Sequence, residues 1–401
     1  MKKLLILGAG LEQSIAIQEA KKLGIYVIAC DQNKNALGFK YADLPIVTDI
    51  NNYDDILEIG RSNKIDGIFT HAVEIPHIVA KVANTLSLPG IKPEIAERAT
   101  NKIERITYLK KNGIPCANFV VINHEDELDS KSSEIGFPLI IKPIDNAGAR
   151  GVQLVEEKTK IYDAYQEAIK SSKEKRVLLE EVLNGEEVST ESVVYNGKIH
   201  TFALADRNYD KSEQFKPFFV EDGINYPTNL SVEMQDSILS LVEKTINILG
   251  IDSGAAKGDI IIDNGIPKII EMASRTSGGW FGAGSIPAAT GCNMLKPLIQ
   301  MAIGDCPDID ALKPTRNLGC AQRYIIPTEE GIVKRISGLK EARNEDGVVM
   351  SEFFLPKIGD RISRAKSHAD RFGMIICTSN SRSTAIEKCE SAISKVKIEI
   401  N

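Results

Sequence analysis

Asp259 and Glu271 are the two residues of this 401-residue chain whose types and spacing point most directly to chemistry. They flank Asp263-Asn264-Gly265, a hairpin-turn signal between two apolar runs, in the segment GDIIIDNGIPKIIEMASRTSGG, residues 258–279. Pairing the two runs about residue 265 sets Asp259 opposite Glu271. Two carboxylates facing each other across an antiparallel pair repel, and a divalent cation between them removes the conflict. Hard oxygen ligands with no His or Cys nearby favour Mg²⁺ over zinc. Arg275 and the Ser277-Gly278-Gly279 turn follow within reach of the same ion, suited to an anionic transferring group or a substrate carboxylate.

Lys142 is the second feature. It lies in the apolar run of FPLIIKPIDNAGARGV, residues 137–152, where an unpaired ammonium is costly to bury and a polyphosphate would make the position favourable. The loop Asn146-Ala147-Gly148-Ala149-Arg150-Gly151 then joins strand to strand. Its small residues let backbone N–H groups approach phosphate oxygens, and Arg150 adds charge. The loop lacks Gly-Lys-[Ser/Thr], so it is no Walker P-loop. Four acids, Glu180, Glu181, Glu186 and Glu187, crowd the end of one strand and the start of the next. As a site, Glu180 and the Val182 backbone would meet an adenine edge, with Glu187 accepting ribose hydroxyls; as a surface, the cluster is simply solvated charge. The Gly8-Ala9-Gly10 turn has Asp31 about 20 residues on, but Gln13 stands where a dinucleotide fingerprint needs its third glycine, which leaves a tight strand-to-helix turn. His71, Glu74 and Arg207 are candidate substrate contacts. His124, His200 and His368 have no ligand spacing.

These residues need elements to hold them. Residues 1–90 alternate short β-rich runs (LLIL, YVIACD, PIVTD, DGIFTHA) with helical patterns at 11–24 and 53–63, which predicts a doubly wound parallel sheet with ligands beyond the strands' carboxyl ends. Asn101-Lys102-Ile103-Glu104 has the spacing of a helix start. From 118 to 195 come five strand-like runs with one helix at 159–172. Residues 196–310 add antiparallel runs with helices at 231–248 and 293–303, and 315–401 mixes strands with a last helix at 382–394. The domains expected are 1–96, 97–312 with a mobile lid subdomain at about 117–190, and 313–401. The formal net charge is −6 with 43% apolar and 26% charged residues. That balance argues against a nucleic-acid backbone or an anionic membrane surface as partner. No apolar run approaches the ~20 residues of a membrane-spanning helix, and the opening Met-Lys-Lys-Leu-Leu-Ile-Leu stops at Gly8, too short for a signal peptide. Seven scattered Cys without a Cys-x-x-Cys pair fit a reducing cytoplasm.

Taken together, Lys102, the IIKPIDNAGARGV run, the EEVLNGEE strand-turn and the Asp259…Glu271-x-x-x-Arg275 segment resemble the ATP-grasp superfamily of ligases, in order and in spacing. The likeness covers essentially the whole chain: an α/β N-terminal sheet domain, a two-lobed α+β core, and a small α+β C-terminal cap like that of biotin carboxylase and purine-pathway members. It implies ATP with Mg²⁺ (or Mn²⁺) as cofactors. Lys102 and Lys142 would hold phosphates under the 146–151 lid, and Glu180, Glu181, Val182 and Glu187 would hold adenosine. Asp259 and Glu271 would bind the metal, and Arg275 would orient an acyl phosphate. Glu74, Arg207, Ser277, Gly278 and Gly279 would line the substrate. The implied reaction is phosphorylation of a small-molecule carboxylate followed by attack of an amine, in a homodimer. Many members carry Glu-x-Asn-x-Arg, whose Asn is a further metal ligand; this chain has Ala273 at that place. Three other readings are phosphoribosylamine–glycine ligation, a non-catalytic nucleotide-binding protein, which Ala273 would suit, and an NAD(P)-dependent oxidoreductase built on the N-terminal sheet.

Overall fold

In the computed structural model, which describes residues 1–401, the first four strands are β1 (Lys3–Leu7), β2 (Tyr26–Asp31), β3 (Leu44–Val47) and β4 (Gly67–Thr70). They form a parallel sheet in the order β3-β2-β1-β4. Leu4–Leu7 and Val27–Cys30 are apolar without alternation because both faces of the sheet are covered. Helices Gln13–Lys22 and Leu295–Ala302 cover one face, through Ala16, Ile17, Leu298 and Ile299. Helices Tyr53–Asn63 and Pro76–Thr85 cover the other, through Ile56, Ile78 and Val82. The helix at 295–302 thus ties this sheet to the rest of the chain. Helices Pro76–Thr85 and Pro93–Thr100 were not expected; each opens with its proline at the first helical position, where the missing N–H costs nothing.

The Gly8–Gly10 turn is closed by the chain's own side chains. Asp31 accepts the Ala9 N–H at 2.8 Å, and Gln13 donates to the His71 carbonyl at 3.1 Å. The acid expected near a ribose is thereby used to hold the turn.

A second, antiparallel sheet comprises β5 (Phe119–Ile122), β6 (Leu139–Pro143), β7 (Gln153–Val155) and β8 (Val177–Glu181), ordered β5-β8-β6-β7. Helices Leu128–Ile135 and Ile161–Ser171 pack on one face, against Leu139, Ile141, Val177 and Leu179. Side chains alternate along a strand, so Lys142 and Glu180 belong to the opposite face.

The largest sheet is built from β9 (Gly185–Tyr195), β10 (Lys198–Asn208), β11 (Gly223–Tyr226), β12 (Gly254–Asp263), β13 (Ile266–Ala273) and β14 (Gly319–Ile325), and is completed by strands from the C-terminal segment. That segment contains β15 (Gly331–Ser337), β16 (Val348–Phe353), β17 (Arg361–Ile362), β18 (Gly373–Ser379) and β19 (Lys397–Ile400). The order is β13-β12-β9-β10-β11-β14-β18-β16, while β17-β15-β19 make a small sheet of their own. One continuous sheet therefore crosses residue 312. Helix Val232–Leu249 lies beneath its first half through Ile238, Val242 and Ile246, and helix Arg382–Lys395 beneath its second through Ala385, Cys389 and Ala392.

Candidate active site

Asn264 (φ 50°) and Gly265 (φ 78°) are both left-handed, as a two-residue hairpin loop demands, so Asp263 pairs with Ile266. A hairpin centred there would place Asp259 opposite Ile270. A bulge beyond Asp259 shifts the register instead, so that Asp259 faces Glu271 and Lys257 faces Ala273. The expected opposition of carboxylates is present, but through a bulge and not through symmetry about residue 265.

Strand parity brings the remaining charges to the same face. Cross-strand neighbours align Lys257 with Glu191 and Asp259 with Ser189, and Glu187 on β9 lies beside Arg207 on β10. Asp259 accepts the Ser189 hydroxyl at 2.7 Å, takes a hydrogen bond from the Lys257 ammonium, and lies 3.4 Å from Arg207 Nη1. Glu271 accepts Arg105 Nη2 at 3.2 Å and has Lys257 Nζ at 3.6 Å. Burial pushes both carboxyls up, but the surrounding cations outweigh it. Lys257 and Arg207 hold Asp259 below the usual range; Lys257, Arg105, Arg275 and Lys102 hold Glu271 well below it. Both are carboxylates at neutral pH.

Arg207, expected to touch substrate, is bound to Glu187 at 3.0 Å and to Glu221 at 3.2 Å. Glu187, expected at a ribose, is therefore an ion-pair partner here. Glu221 also meets Arg371, and its N–H points to His368 Nε2 at 3.4 Å.

Helix Lys102–Lys111 begins at Asn101, whose side chain accepts the N–H groups of Ile103 and Glu104. Lys102 sits at this start, beneath the second sheet, and its ammonium bonds the Asn146 carbonyl. Arg105, one turn on, is the group that reaches Glu271. Burial draws the Lys102 pKa down to about 8, against the pull of Glu271.

Lys142, expected to depend on a phosphate for its charge, has a protein counter-ion: its Nζ lies 2.6 Å from Glu180 Oε2. Glu180 Oε1 is buried with no partner. Glu181 faces away, accepting both the N–H and the amide of Asn118 at 2.9 Å, and Val182 follows the end of β8. In the 146–151 loop, Asn146 bonds the Ser171 carbonyl, Arg150 Nε bonds the Ala147 carbonyl, and Gly148, Ala149 and Gly151 have positive φ. The loop is docked on the C-terminal segment, where the His368 N–H donates to the Gly148 carbonyl at 3.0 Å.

The N-terminal sheet closes the site from its carboxyl rim, as its topology predicts. Glu74 pairs with Arg275, whose Nη1 also bonds the Thr276 carbonyl at 3.0 Å while its buried Nε has no partner. His71 Nδ1 meets the Thr276 hydroxyl at 2.8 Å, and burial lowers that histidine to about 4. Glu12 accepts the N–H groups of Gly279 (3.1 Å) and Trp280 (2.8 Å), and Glu191 accepts that of Ser277 at 2.7 Å. Burial raises both of these acids to about 7. The Ser277-Gly278-Gly279 turn is thus gripped by two protein carboxylates. Glu12, Arg105, Glu191 and Lys257 carry much of this geometry and were not singled out in the sequence. Lys257 was findable, two residues before Asp259 and hence on its face; Arg105 was findable one helical turn after Lys102.

Two ionised carboxylates, adjacent across strands, suit one hard cation that shares its remaining ligands with phosphate oxygens and water. No third His, Cys, Asp or Glu completes an all-protein cage.

Comparison with known proteins places this geometry. Residues 108–275 match the family described as D-ala D-ala ligase C-terminus, and residues 323–401 match L-amino acid ligase C-terminal domain 2. The formate-dependent phosphoribosylglycinamide formyltransferase of Prochlorococcus marinus (strain MIT 9515) is 26% identical, over 99% of this chain and 97% of its own. The L-amino acid ligase from Bacillus licheniformis superposes with a TM-score of 0.85 at 20% identity, over 100% of this chain and 99% of that one. Phosphoribosylglycinamide synthetase from Anaerococcus prevotii gives 0.75 at 23%, over all of both chains. The biotin carboxylase domain of Hydrogenobacter thermophilus 2-oxoglutarate carboxylase, crystallised with MgADP, ADP and bicarbonate, gives 0.75 at 19%, over 100% of this chain and 91% of that one. A likeness that runs the length of the chain in both sequence and fold supports an ATP-grasp ligase of the carboxylate–amine type.

Proposed function

We propose that the chain transfers the γ-phosphoryl group of ATP to a small-molecule carboxylate and passes the acyl group to an amine, releasing ADP and phosphate. The observation that carries this is the convergence of Lys102, Arg105, Lys257 and Arg275 on the Asp259–Glu271 pair, beneath the 146–151 loop. Lys102 and Lys142 hold phosphate oxygens, and the backbone of Asn146 to Gly151 covers them. The orphaned Glu180 Oε1 accepts from the adenine amino group, next to the Val182 backbone. Asp259 and Glu271 hold Mg²⁺, which when bound neutralises charge on the transferring group; Mn²⁺, a similarly hard ion, substitutes. Arg275 donates its unpartnered Nε to the acyl phosphate, with Glu74 and the 277–279 turn at the substrate. An acyl phosphate open to water hydrolyses, so the docked loop serves the chemistry by excluding solvent.

The full-length likeness to a formate-dependent enzyme favours a second, narrower reading in which the carboxylate is formate and the amine a glycinamide ribonucleotide. A homodimer, to be checked by sedimentation, and a cytoplasmic location, consistent with seven unpaired cysteines, belong to the same proposal.

Phosphate release from MgATP is the test, across pairs of amino acids, formate with phosphoribosylglycinamide, and phosphoribosylamine with glycine. Glu271→Ala serves as the blank and nucleotide products are resolved. ADP with one pair identifies the substrates; AMP overturns the acyl-phosphate route; nucleotide binding with no release from any carboxylate overturns the ligase reading for those acids.

A pH dependence follows from Lys102. With its pKa near 8 in the free enzyme, the ammonium is lost as pH rises past that value, and the pull on phosphate goes with it. KM for ATP is expected to rise by up to about tenfold per pH unit above 8, while kcat stays flat because bound phosphate restores the charge. Lys102→Met should have a high, pH-independent KM. A wild-type KM unchanged to pH 9.5 would contradict this role.

A further inference from the structure

We propose that Lys257 is a built-in cation of the phosphoryl-transfer site, filling the place of a second divalent ion, so that the enzyme works with one divalent ion per bound nucleotide. The inference rests on the nucleotide-site reading above and extends it to a residue that neither the motifs nor the comparisons assign.

Three observations support it. The register sets Lys257 directly opposite Ala273, whose methyl offers a cation no oxygen. Lys257 directs its ammonium to the carboxylate pair, bonded to Asp259 and 3.6 Å from Glu271 Oε2. The side chain is 12% exposed, so the charge is set inside the site and not swept through solvent. Lastly, every oxygen of the pair already has a cation or a hydroxyl: Asp259 has Ser189 on one oxygen and Lys257 with Arg207 on the other, and Glu271 has Arg105 on one and Lys257 on the other.

One incoming divalent ion can share the outward lone pairs of these carboxylates, because most of its ligands come from phosphate and water. A second would need the space between the carboxylates, in contact with a fixed ammonium, and would find a methyl where a third oxygen donor is needed. Like charges at such a distance in a partly desolvated site repel strongly. The ammonium meets the same electrostatic need for positive charge against a phosphoryl group whose equatorial oxygens carry the charge of the transition state.

The test counts metal ions directly. Mn²⁺ is titrated into the full chain saturated with the β,γ-imido analogue of ATP, and free Mn²⁺ is followed by its paramagnetic resonance signal. One Mn²⁺ per chain is expected for the wild type and for Lys257→Arg, and two for Lys257→Ala. Lys257→Met keeps the aliphatic stem and serves if the alanine variant does not fold; it too should take two. Lys257→Ala with Ala273→Asn, which supplies a third oxygen donor, should bind its second Mn²⁺ at least tenfold more tightly than Lys257→Ala alone. Two ions in the wild type, or one ion in the alanine and methionine variants, would overturn the proposal. If the wild type binds neither analogue nor Mn²⁺, the nucleotide-site reading itself fails and the proposal falls with it, an outcome distinct from a wrong count.

Discussion

Replacing Glu271 with Gln is expected to lower kcat by about 10³-fold, the size of loss seen when a preorganised charge is removed from a transition-state site. Glu271 belongs to the pair proposed above to hold the metal and also holds Arg105, whose guanidinium is buried with a single further bond, to the Ala99 carbonyl. The amide keeps the side chain's shape but not its charge, and leaves Arg105 and Lys257 to be balanced by Asp259 alone. A stability loss of roughly 3 kcal/mol is therefore expected alongside, near the lower end for breaking a buried ion pair because Glu271 is partly open. Phosphate release and thermal unfolding of the same preparation separate the two effects. A folded variant within tenfold of wild-type kcat would mean that phosphoryl transfer is not organised around this pair.

Arg275→Lys is expected to cost about 10²-fold in amide formation and, in addition, to uncouple it from ATP consumption. The guanidinium is spread over Glu74 and the Thr276 carbonyl, with Nε buried and free for a ligand. A lysine ammonium can keep the Glu74 contact but cannot present a planar fork to a third partner, so charge is conserved while geometry is lost. An acyl phosphate held less firmly partitions more often to water. The ratio of phosphate released to amide formed should rise from near one to several. A variant that slows both products equally, with the ratio still near one, would assign Arg275 a purely structural role between the N-terminal sheet and the 273–280 segment.

Much of the scaffold could be read from local pattern. YVIACD and the helix at 53–63 lie where the apolar periodicity put them, and Asn101 caps its helix through the side-chain contacts its spacing foretold. The opposition of Asp259 and Glu271 was also legible, although it depends on a bulge that no turn rule anticipates. What could not be read is how charges find partners across distant segments. Lys142 in an apolar strand implied a missing anion, and that anion is Glu180, 38 residues away on the neighbouring strand. Arg207 looked free for substrate because Glu187 and Glu221 reach it only once β9 and β10 have paired and the chain has turned back. Glu12 sits in the first turn of the chain, and the N–H groups it binds belong to residues 279 and 280. Contacts of that kind are set by tertiary geometry and leave no spacing to detect.

The order of strands in the largest sheet also bears on how the protein is made. β14 sits between β11 and β18, and β18 sits between β14 and β16. During synthesis the β9–β10 and β12–β13 hairpins can close as soon as they leave the ribosome, since their partners are near in sequence. The far half of the sheet cannot close until residue 379 has emerged, and the 146–151 loop has no His368 to dock on until residue 368 has. Pairing across such long separations is intrinsically slow. A nascent chain stalled before residue 368 would therefore carry a formed Asp259–Glu271 pair under an unlatched loop, with the β14 edge of its largest sheet bare and available to chaperones.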